Sequence, residues 1–561
     1  MRPIPASAAV RIDSSRPADF PLSKERIAVY NSGLVPIERY RRDAGYLRAT
    51  APESLRIDLG WGAEWMPWTR EVVQTDAEGG LSFDFSETDE VARVLTDAGV
   101  RPYWSYCYVP KAARPDGGDW RTMAPDDTTW VRTVQAYVAG MRDRGVSVGY
   151  HEIYNEPDLR DERTGDATFY TGGLQDYLEL YRETSTAIRQ VDPTARIGGP
   201  ALAVTAVHAD WLDAFCRLVV DERLPLDFLS FHHYGHFGVQ GTLQIVRETL
   251  ARYPDLRHVE WHLNEYNAFS IDYPRGGLQD SFQLASTFAA ELPRLLACRR
   301  LTRTHWAQYL DSGQGNFSGM VDIDGVPKPV HEVYAFYQRM PIDRITCQVD
   351  GPPGVGALAS ADASGIAAIL WNRHFADVEI DLEVAGAQQA VIVMIDGDGV
   401  SRPTARPLAH GRAKVRLASG AVALLTSGDI AGRPTARRCW GIPVAGAAGW
   451  SDLDEATCTF RFGTNGDGWV SHGADLLGEA VPSEWSVSAR GKDGGPVPAS
   501  VEVRLQDGSR YQARTLTGTA APHTLDLPSP PAPRDSTRLF MSVSAPSGAL
   551  VNVAPVPGGA R

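Results

Sequence analysis

The feature that most constrains this chain is an alternation of strand-like and helix-like segments that begins near Glu25. Short apolar runs fall at 26–31, 54–60, 101–108, 148–154, 196–200, 227–233, 258–264 and 302–309. Between them lie segments with helical spacing. In 126–144, Trp130, Val134, Tyr137, Val138 and Met141 share one face, and 174–191 and 278–298 read the same way. Strands that alternate with helices pair in parallel, and eight of them close into a (β/α)8 barrel, here over 15–340. A doubly wound open sheet is the alternative. It calls for a glycine-rich phosphate loop after the first strand, and Asn31-Ser32-Gly33 is too slight for one.

After Pro341 the rhythm changes. Short strands at 365–371, 378–384, 390–394, 412–417 and 421–426 follow with no helix between them. They read as an antiparallel β-sandwich over 341–427, to which a lone strand at 7–13 could add. A linker at 428–438 leads to a second all-β unit over 439–557, with strands near 456–462, 485–490, 500–505 and 538–544 and a frayed tail from Pro555. A chain of 561 residues is too long for one core. The expected architecture is α/β: a TIM barrel followed by two β-sandwiches.

Two strand ends carry chemistry. The fourth strand ends in Glu152-Ile153-Tyr154-Asn155-Glu156-Pro157-Asp158. Proline donates no backbone hydrogen bond and pushes the residue before it out of a helix, so Glu156 sits at the strand tip with Asn155 beside it. The seventh strand ends in Asn264-Glu265-Tyr266. In a parallel barrel the C-terminal strand ends open on one face, so both carboxylates reach one mouth. Taken alone, Glu156 reads equally well as an ordinary solvated Glu at a surface turn. As a pair the two carboxylates are the equipment of glycoside hydrolysis, in which one carboxyl gives a proton and the other acts as a base or nucleophile. Trp61, Trp65, Trp68, Trp104 and Trp306 near strand ends could stack on sugar rings or fill the core.

These motifs resemble clan A glycoside hydrolases, and most closely glycoside hydrolase family 39, the family of β-xylosidases and α-L-iduronidase. The segments just quoted resemble its acid/base and nucleophile strands. The run Asp227-Phe228-Leu229-Ser230-Phe231-His232-His233-Tyr234 looks like its sixth strand. Gly319-Met320-Val321-Asp322 with Gly325-Val326-Pro327-Lys328-Pro329 looks like its closing segment, and Arg56 and Trp306 fall where the clan keeps an Arg and an aromatic. The resemblance spans about residues 20–430. It implies Glu156 as acid/base and Glu265 as nucleophile, with Asn155 on the hydroxyl beside the anomeric carbon. It further implies that Tyr234 orients Glu265 and that Arg56 keeps it ionised. With Asp58, Trp61, Trp104, His232 and Trp306, these make the expected sugar-binding set. Two positions depart: Asp58 stands where the xylosidases carry a His, and Ser105 where members often carry a Glu.

The activity so implied is retaining, exo-acting hydrolysis of a terminal pentoside, a β-xyloside or α-L-arabinoside, or of a short oligosaccharide unit. A non-catalytic carbohydrate-binding protein on this fold is an alternative, though it would be expected to have lost one Glu. A transglycosylase is another. A net charge of −14 disfavours nucleic acid and anionic membranes and does not exclude neutral ligands such as sugars; the resemblance implies a glycoside or oligosaccharide as the partner. No run is apolar enough to span a membrane, and the N-terminus lacks the apolar centre of a signal peptide, so a cytoplasmic protein is expected unless a leader was removed. Six scattered cysteines suggest free thiols, with a Cys439–Cys458 bridge as the alternative. His232 and His233 point to opposite faces of a strand, so no metal and no cofactor is expected. The last unit reads either as a carbohydrate-binding jelly roll or as a packing module that would make a homo-oligomer.

Overall fold

In a computed structural model of the protein, residues 6–556 are described apart from 34, 67–68, 124–127, 162, 236–238, 270–277, 313–316, 324, 402, 429–439, 444–448, 455–456, 465–469, 477–481, 483, 506–510, 517–522 and 527–536. Trp68, Cys439, Asp324 and most of the linker and tail lie outside the described residues, and Cys458 is a free thiol.

The chain opens with strand β1 (Ala6–Pro17), then β2 (Ile27–Asn31), α1 (Ile37–Thr50) and β3 (Ser54–Asp58). A short hairpin, β4 (Val73–Thr75) and β5 (Leu81–Phe83), precedes α2 (Ser86–Asp97) and β6 (Arg101–Tyr106). Then come α3 (Thr129–Asp143), β7 (Tyr150–Ile153), α4 (Leu174–Val191), β8 (Ile197–Leu202) and α5 (Ala209–Glu222). The barrel finishes with β9 (Phe228–Tyr234), α6 (Val239–Ala251), β10 (Glu260–Asn267), α7 (Phe282–Ala297), β11 (Leu301–Ala307) and α8 (Pro329–Arg339). Strands β2, β3 and β6–β11 pair in parallel as a closed barrel. All eight coincide with the apolar runs of the sequence, their ends shifted by a few residues.

Helices wrap the barrel with their apolar stripes inward. On α3 the buried face carries Trp130, Val134, Tyr137, Val138 and Met141, the spacing that marks it in the sequence. Pro293 sits inside α7 without ending it. α7 matters twice, because it also carries the first β unit. Strand 365–372 alternates: Ala368 and Leu370 face a β core, while Ala367 and Ile369 join the barrel core that includes α7. A strand buried on both faces must be apolar throughout, which explains the run Gly365-Ile366-Ala367-Ala368-Ile369-Leu370-Trp371.

Strand β1 is central to that β unit. It runs antiparallel to Arg344–Asp350 on one side and parallel to Val378–Val384 on the other. It thereby links ten strands into one connected, mixed sheet around a shared core. Ala8, Val10 and Ile12 point inward at period two. The last unit is two five-stranded antiparallel sheets enclosing a separate core that includes Phe460, Trp485 and Val551.

Replacing Ile12, only 1% exposed, by Ala should cost about 2–5 kcal/mol. Chemical denaturation checks this. Unchanged unfolding would mean that β1 is dispensable to the sheet it bridges.

Candidate active site

The C-terminal ends of β3, β7, β9 and β10 converge. β3 brings Arg56 and Asp58, and β7 brings Glu152, with Asn155 and Glu156 just past its end. β9 brings His232 and Tyr234, and β10 brings Asn264 and Glu265. Simple alternation would not aim all of these inward. Tyr154 and Glu156 adopt left-handed backbones, with φ of 70° and 44°. Such values are uncommon away from glycine and gather where function constrains the chain. On β10 the pairing with β9 shifts between Leu263 and Glu265. A bulge of this kind re-aims side chains, so Asn264 points into the barrel and Glu265, its neighbour, into the mouth.

Arg56 is fully buried and spends its whole guanidinium on this cluster. Nε donates to Glu152 Oε2 at 2.6 Å, and Nη1 donates to Glu265 Oε1 at 2.9 Å and lies 3.1 Å from Asp58 Oδ1. Nη2 donates to Asn155 Oδ1 at 2.8 Å and to Ser105 Oγ at 3.3 Å. Burial works against its charge, but Glu152, Asp58 and Glu265 outweigh that and hold it protonated. Tyr234 donates to Glu265 Oε2 at 2.6 Å, and Tyr30 donates to Asp58 Oδ2 at 2.7 Å. Asn155 Nδ2 donates to the Tyr108 hydroxyl at 3.1 Å, fixing its amide.

The two strand-end carboxylates share His232. Its Nδ1 lies 2.7 Å from Glu156 Oε1 and 3.7 Å from Glu265 Oε2. One oxygen of each Glu and a ring nitrogen of His232 lie within 4.8 Å of one another. Burial lifts Glu156 to about 8, helped by the charges of Asp158 and Asp58. Burial also lifts Glu265, to about 7, with His232 and Arg56 opposing and the Glu156 charge adding. Their partners break the tie. Arg56 and Tyr234 both bond Glu265, so Glu265 is the carboxylate of the pair and Glu156 holds the proton. Burial pushes the His232 imidazole down, towards its neutral form. Among the described residues this trio also has the spacing of a three-ligand metal site. Both oxygens of Glu265 are already taken by a permanent cation and a hydroxyl, so the donor set suits proton chemistry better than an ion.

Seven of the ten residues singled out in the sequence therefore come together: Arg56, Asp58, Asn155, Glu156, His232, Tyr234 and Glu265. Asp58 turns to Tyr30 and Arg56 and lies 1% exposed, so it belongs to the floor of the site. The three tryptophans do not join. Trp61 packs between Tyr106, Trp130 and Tyr137. Trp104 faces Tyr137 of α3, and Trp306 packs edge-on against Phe288 of α7 at 4.9 Å. On β6, Tyr103 and Ser105 point inward, so strand parity turns Trp104 outward. On β11, His305 reaches Ser54 inside the barrel, so Trp306 faces out. All three are core residues between barrel and helices.

Sequence reasoning gave no role to Glu152 or Asp158. Glu152 is the closest partner of Arg56. Asp158, 1% exposed, accepts the N–H groups of Ala203 and Val204 at 2.8 and 3.1 Å, joining the loops after β7 and β8. The signal for Glu152 was its parity with the strand tip, which left-handed residues then obscure. Trp65 rests 5.4–5.9 Å from Trp120, Phe169 and Tyr108, the last of which accepts from Asn155.

Residues 52–271 match the glycosyl hydrolases family 39, a span from β3 to just past β10 that holds all seven of the converging residues. The chain is 22% identical over 350 residues to a β-xylosidase of Caldicellulosiruptor saccharolyticus, covering 57% of this chain and 70% of that one. A β-xylosidase of Geobacillus stearothermophilus is 23% identical over 351 residues, 54% of this chain and 64% of that one. Among solved structures, the family 39 glycoside hydrolase of Xanthomonas axonopodis pv. citri superposes with a TM-score of 0.61 at 18% identity, over 77% of this chain and 98% of its own. A bacterial orthologue of human α-L-iduronidase superposes with a TM-score of 0.57 at 14% identity, over 98% of this chain and 97% of its own. That match extends the shared fold through the last β unit.

The proton on Glu156 has a consequence for stability. A folded-state value near 8, against an ordinary 4.5, means folding loses stability as pH rises through that window. Glu156→Gln cannot ionise. It should unfold at a higher temperature than the wild type at pH 9, by a few degrees or more, with a much smaller difference at pH 5. Equal melting points at pH 9 would show that the buried carboxylate carries no strain.

Proposed function

We propose that this chain, which belongs to glycosyl hydrolases family 39, is a retaining, exo-acting glycosidase that removes a terminal neutral pentose, a β-xyloside or α-L-arabinoside, from a glycan or short oligosaccharide. One observation carries the reading: oxygens of Glu156 and Glu265 approach within 4.8 Å. Retention needs the two carboxyl groups about 5–5.5 Å apart, whereas inversion needs about 6.5–9.5 Å to admit a water.

In this reading Glu265 attacks the anomeric carbon while Glu156 gives its proton to the departing oxygen. The sugar is then covalently held and Glu265 is neutral. Its charge no longer opposes ionisation nearby, so Glu156, having given up its proton, stays ionised and takes one from the water that releases the sugar. Arg56 and Tyr234 hold the attacking oxygens in place, and Asn155, clamped by Arg56 and Tyr108, is set to meet the adjacent hydroxyl. The relatives named as β-xylosidases support a pentoside. The whole-chain likeness to the iduronidase orthologue favours a second reading, a uronide. Charge argues against it. Asp58, Glu152 and Glu265 surround one guanidinium, and a substrate carboxylate would enter an already negative site.

Product anomers read by NMR from aryl β-xylosides and α-L-arabinosides test the stereochemistry. Retention is expected, and an inverted product would sink the double displacement. Glu265→Gln should abolish turnover of activated aryl glycosides without rescue by azide. Glu156→Ala should slow substrates with poor leaving groups far more than good ones, by a factor on the order of 10² or more. An equal loss across leaving groups would remove Glu156 from the acid role. Aryl uronides turned over faster than the pentosides would favour the second reading.

A further inference from the structure

We propose that Glu152 is a positioning residue that sets the ionisation and aim of Glu265 through Arg56. It rests on the reading of Glu265 as nucleophile. The interior of a parallel barrel is ordinarily filled with branched apolar side chains. Here a chain of polar groups runs down it. Glu265 meets Arg56, and Arg56 Nε donates to Glu152 Oε2 at 2.6 Å. Glu152 Oε1 accepts from Asn264 Nδ2 at 2.5 Å and, at 3.5 Å, from the Tyr103 hydroxyl. Tyr103 lies 3.3 Å from His262 Nδ1, and His262 Nε2 lies 3.0 Å from Glu260 Oε2 at the opposite end of β10. Glu152 is fully buried and out of reach of a sugar at the mouth, where the Glu156 and Glu265 side chains, though largely buried, keep 10% and 5% of their surface open.

A buried carboxylate with no cation of its own is costly, and so is a buried guanidinium. Glu152 and Arg56 answer each other, and the geometry of their bond decides where Nη1 points. Two effects follow. The bond at Nε stops the guanidinium from rotating away from Glu265. The charge of Glu152 offsets part of the Arg56 field, so Glu265 is held ionised but not so firmly that it loses nucleophilicity. The titratable and charged groups around Glu265 are Tyr30 from β2, Arg56 and Asp58 from β3, Glu156 just past β7, and His232 and Tyr234 from β9, with Glu152 of β7 behind Arg56. Glu152 bonds Arg56 at Nε, the nitrogen that fixes the plane of the guanidinium reaching Glu265.

Glu152→Gln separates this from a packing role. It keeps the shape and removes the charge. The Glu265 carboxyl then faces a stronger cation and should titrate lower, moving the acid limb of the kcat/KM profile down by about one pH unit. Glu152→Asp keeps the charge but draws it back from Nε. The limb should then stay in place while kcat falls about 10- to 100-fold. A folded Glu152→Gln with an unmoved acid limb, or a Glu152→Asp with full kcat, overturns the proposal. Titration of the Glu265 carboxyl by ¹³C NMR in both variants reads its ionisation without substrate. A wild type that fails to hydrolyse glycosides would defeat the functional reading and still leave that titration to judge Glu152.

Discussion

Everything at the mouth of this barrel depends on one buried guanidinium. Removing Arg56 from water costs several kcal/mol unless it is answered by charge and by hydrogen bonds. The fold answers it from three strands at once, through Glu152 and Asn155 at β7, Glu265 at β10, and Ser105 at β6. That requirement fills the interior with Tyr103, Glu152, Asn264, His262 and His305, where branched apolar residues would otherwise pack. The apolar contribution is displaced outward. Trp61, Trp104, Trp130 and Trp306, all at most 1% exposed, crowd the layer between strands and helices. The polar centre and the aromatic shell are two sides of one arrangement.

This explains what could be read in the sequence. The eight strands were legible because each is a short apolar run, and α3 and α4 because their stripes repeat at helical spacing. Glu156 and Glu265 were legible because each ends a strand beside an amide. The tryptophans misled because composition says nothing about parity. Trp104 and Ser105 are neighbours, and one faces the helices while the other faces Arg56. Parity could be settled only by register: Arg56 pairs with Tyr103 and Glu152 with Ser105. The bulge at 263–265 and the left-handed turn at 154–156 then break the alternation where it matters most. β1 was legible as a strand, yet its pairing with two strands more than 300 residues away is a tertiary fact.

The irregular backbone at the mouth has a common logic. Glu156 sits at φ 44° and its N–H donates to the carbonyl of Ala201, itself at φ 52°. Asp158 then ties the following turn to Ala203 and Val204. Two loops that would each relax alone are braced against each other. The brace also places the Asp158 charge near Glu156, where it adds to burial in holding the proton. Local strain and the raised affinity for a proton are thus properties of one joint. Both weaken the folded state, and the rest of the fold must offset them.

The charge balance of the site bears on the proposed chemistry as a whole. Glycosidic cleavage passes through a transition state with positive charge on the sugar ring. Glu152 and Asp58 flank Arg56 beneath Glu265, so the floor retains negative charge even after the guanidinium is counted. A negative field fixed in place before the substrate arrives stabilises a cation that forms only at the top of the barrier. The Asp58 charge adds to burial in raising the affinity of Glu156 for its proton, as the proposed acid role requires. Asp58, in place of an imidazole, adds a carboxylate to that floor against Arg56 and Tyr30, and under the proposed function its charge would favour the proton on Glu156 and a neutral sugar over an anionic one.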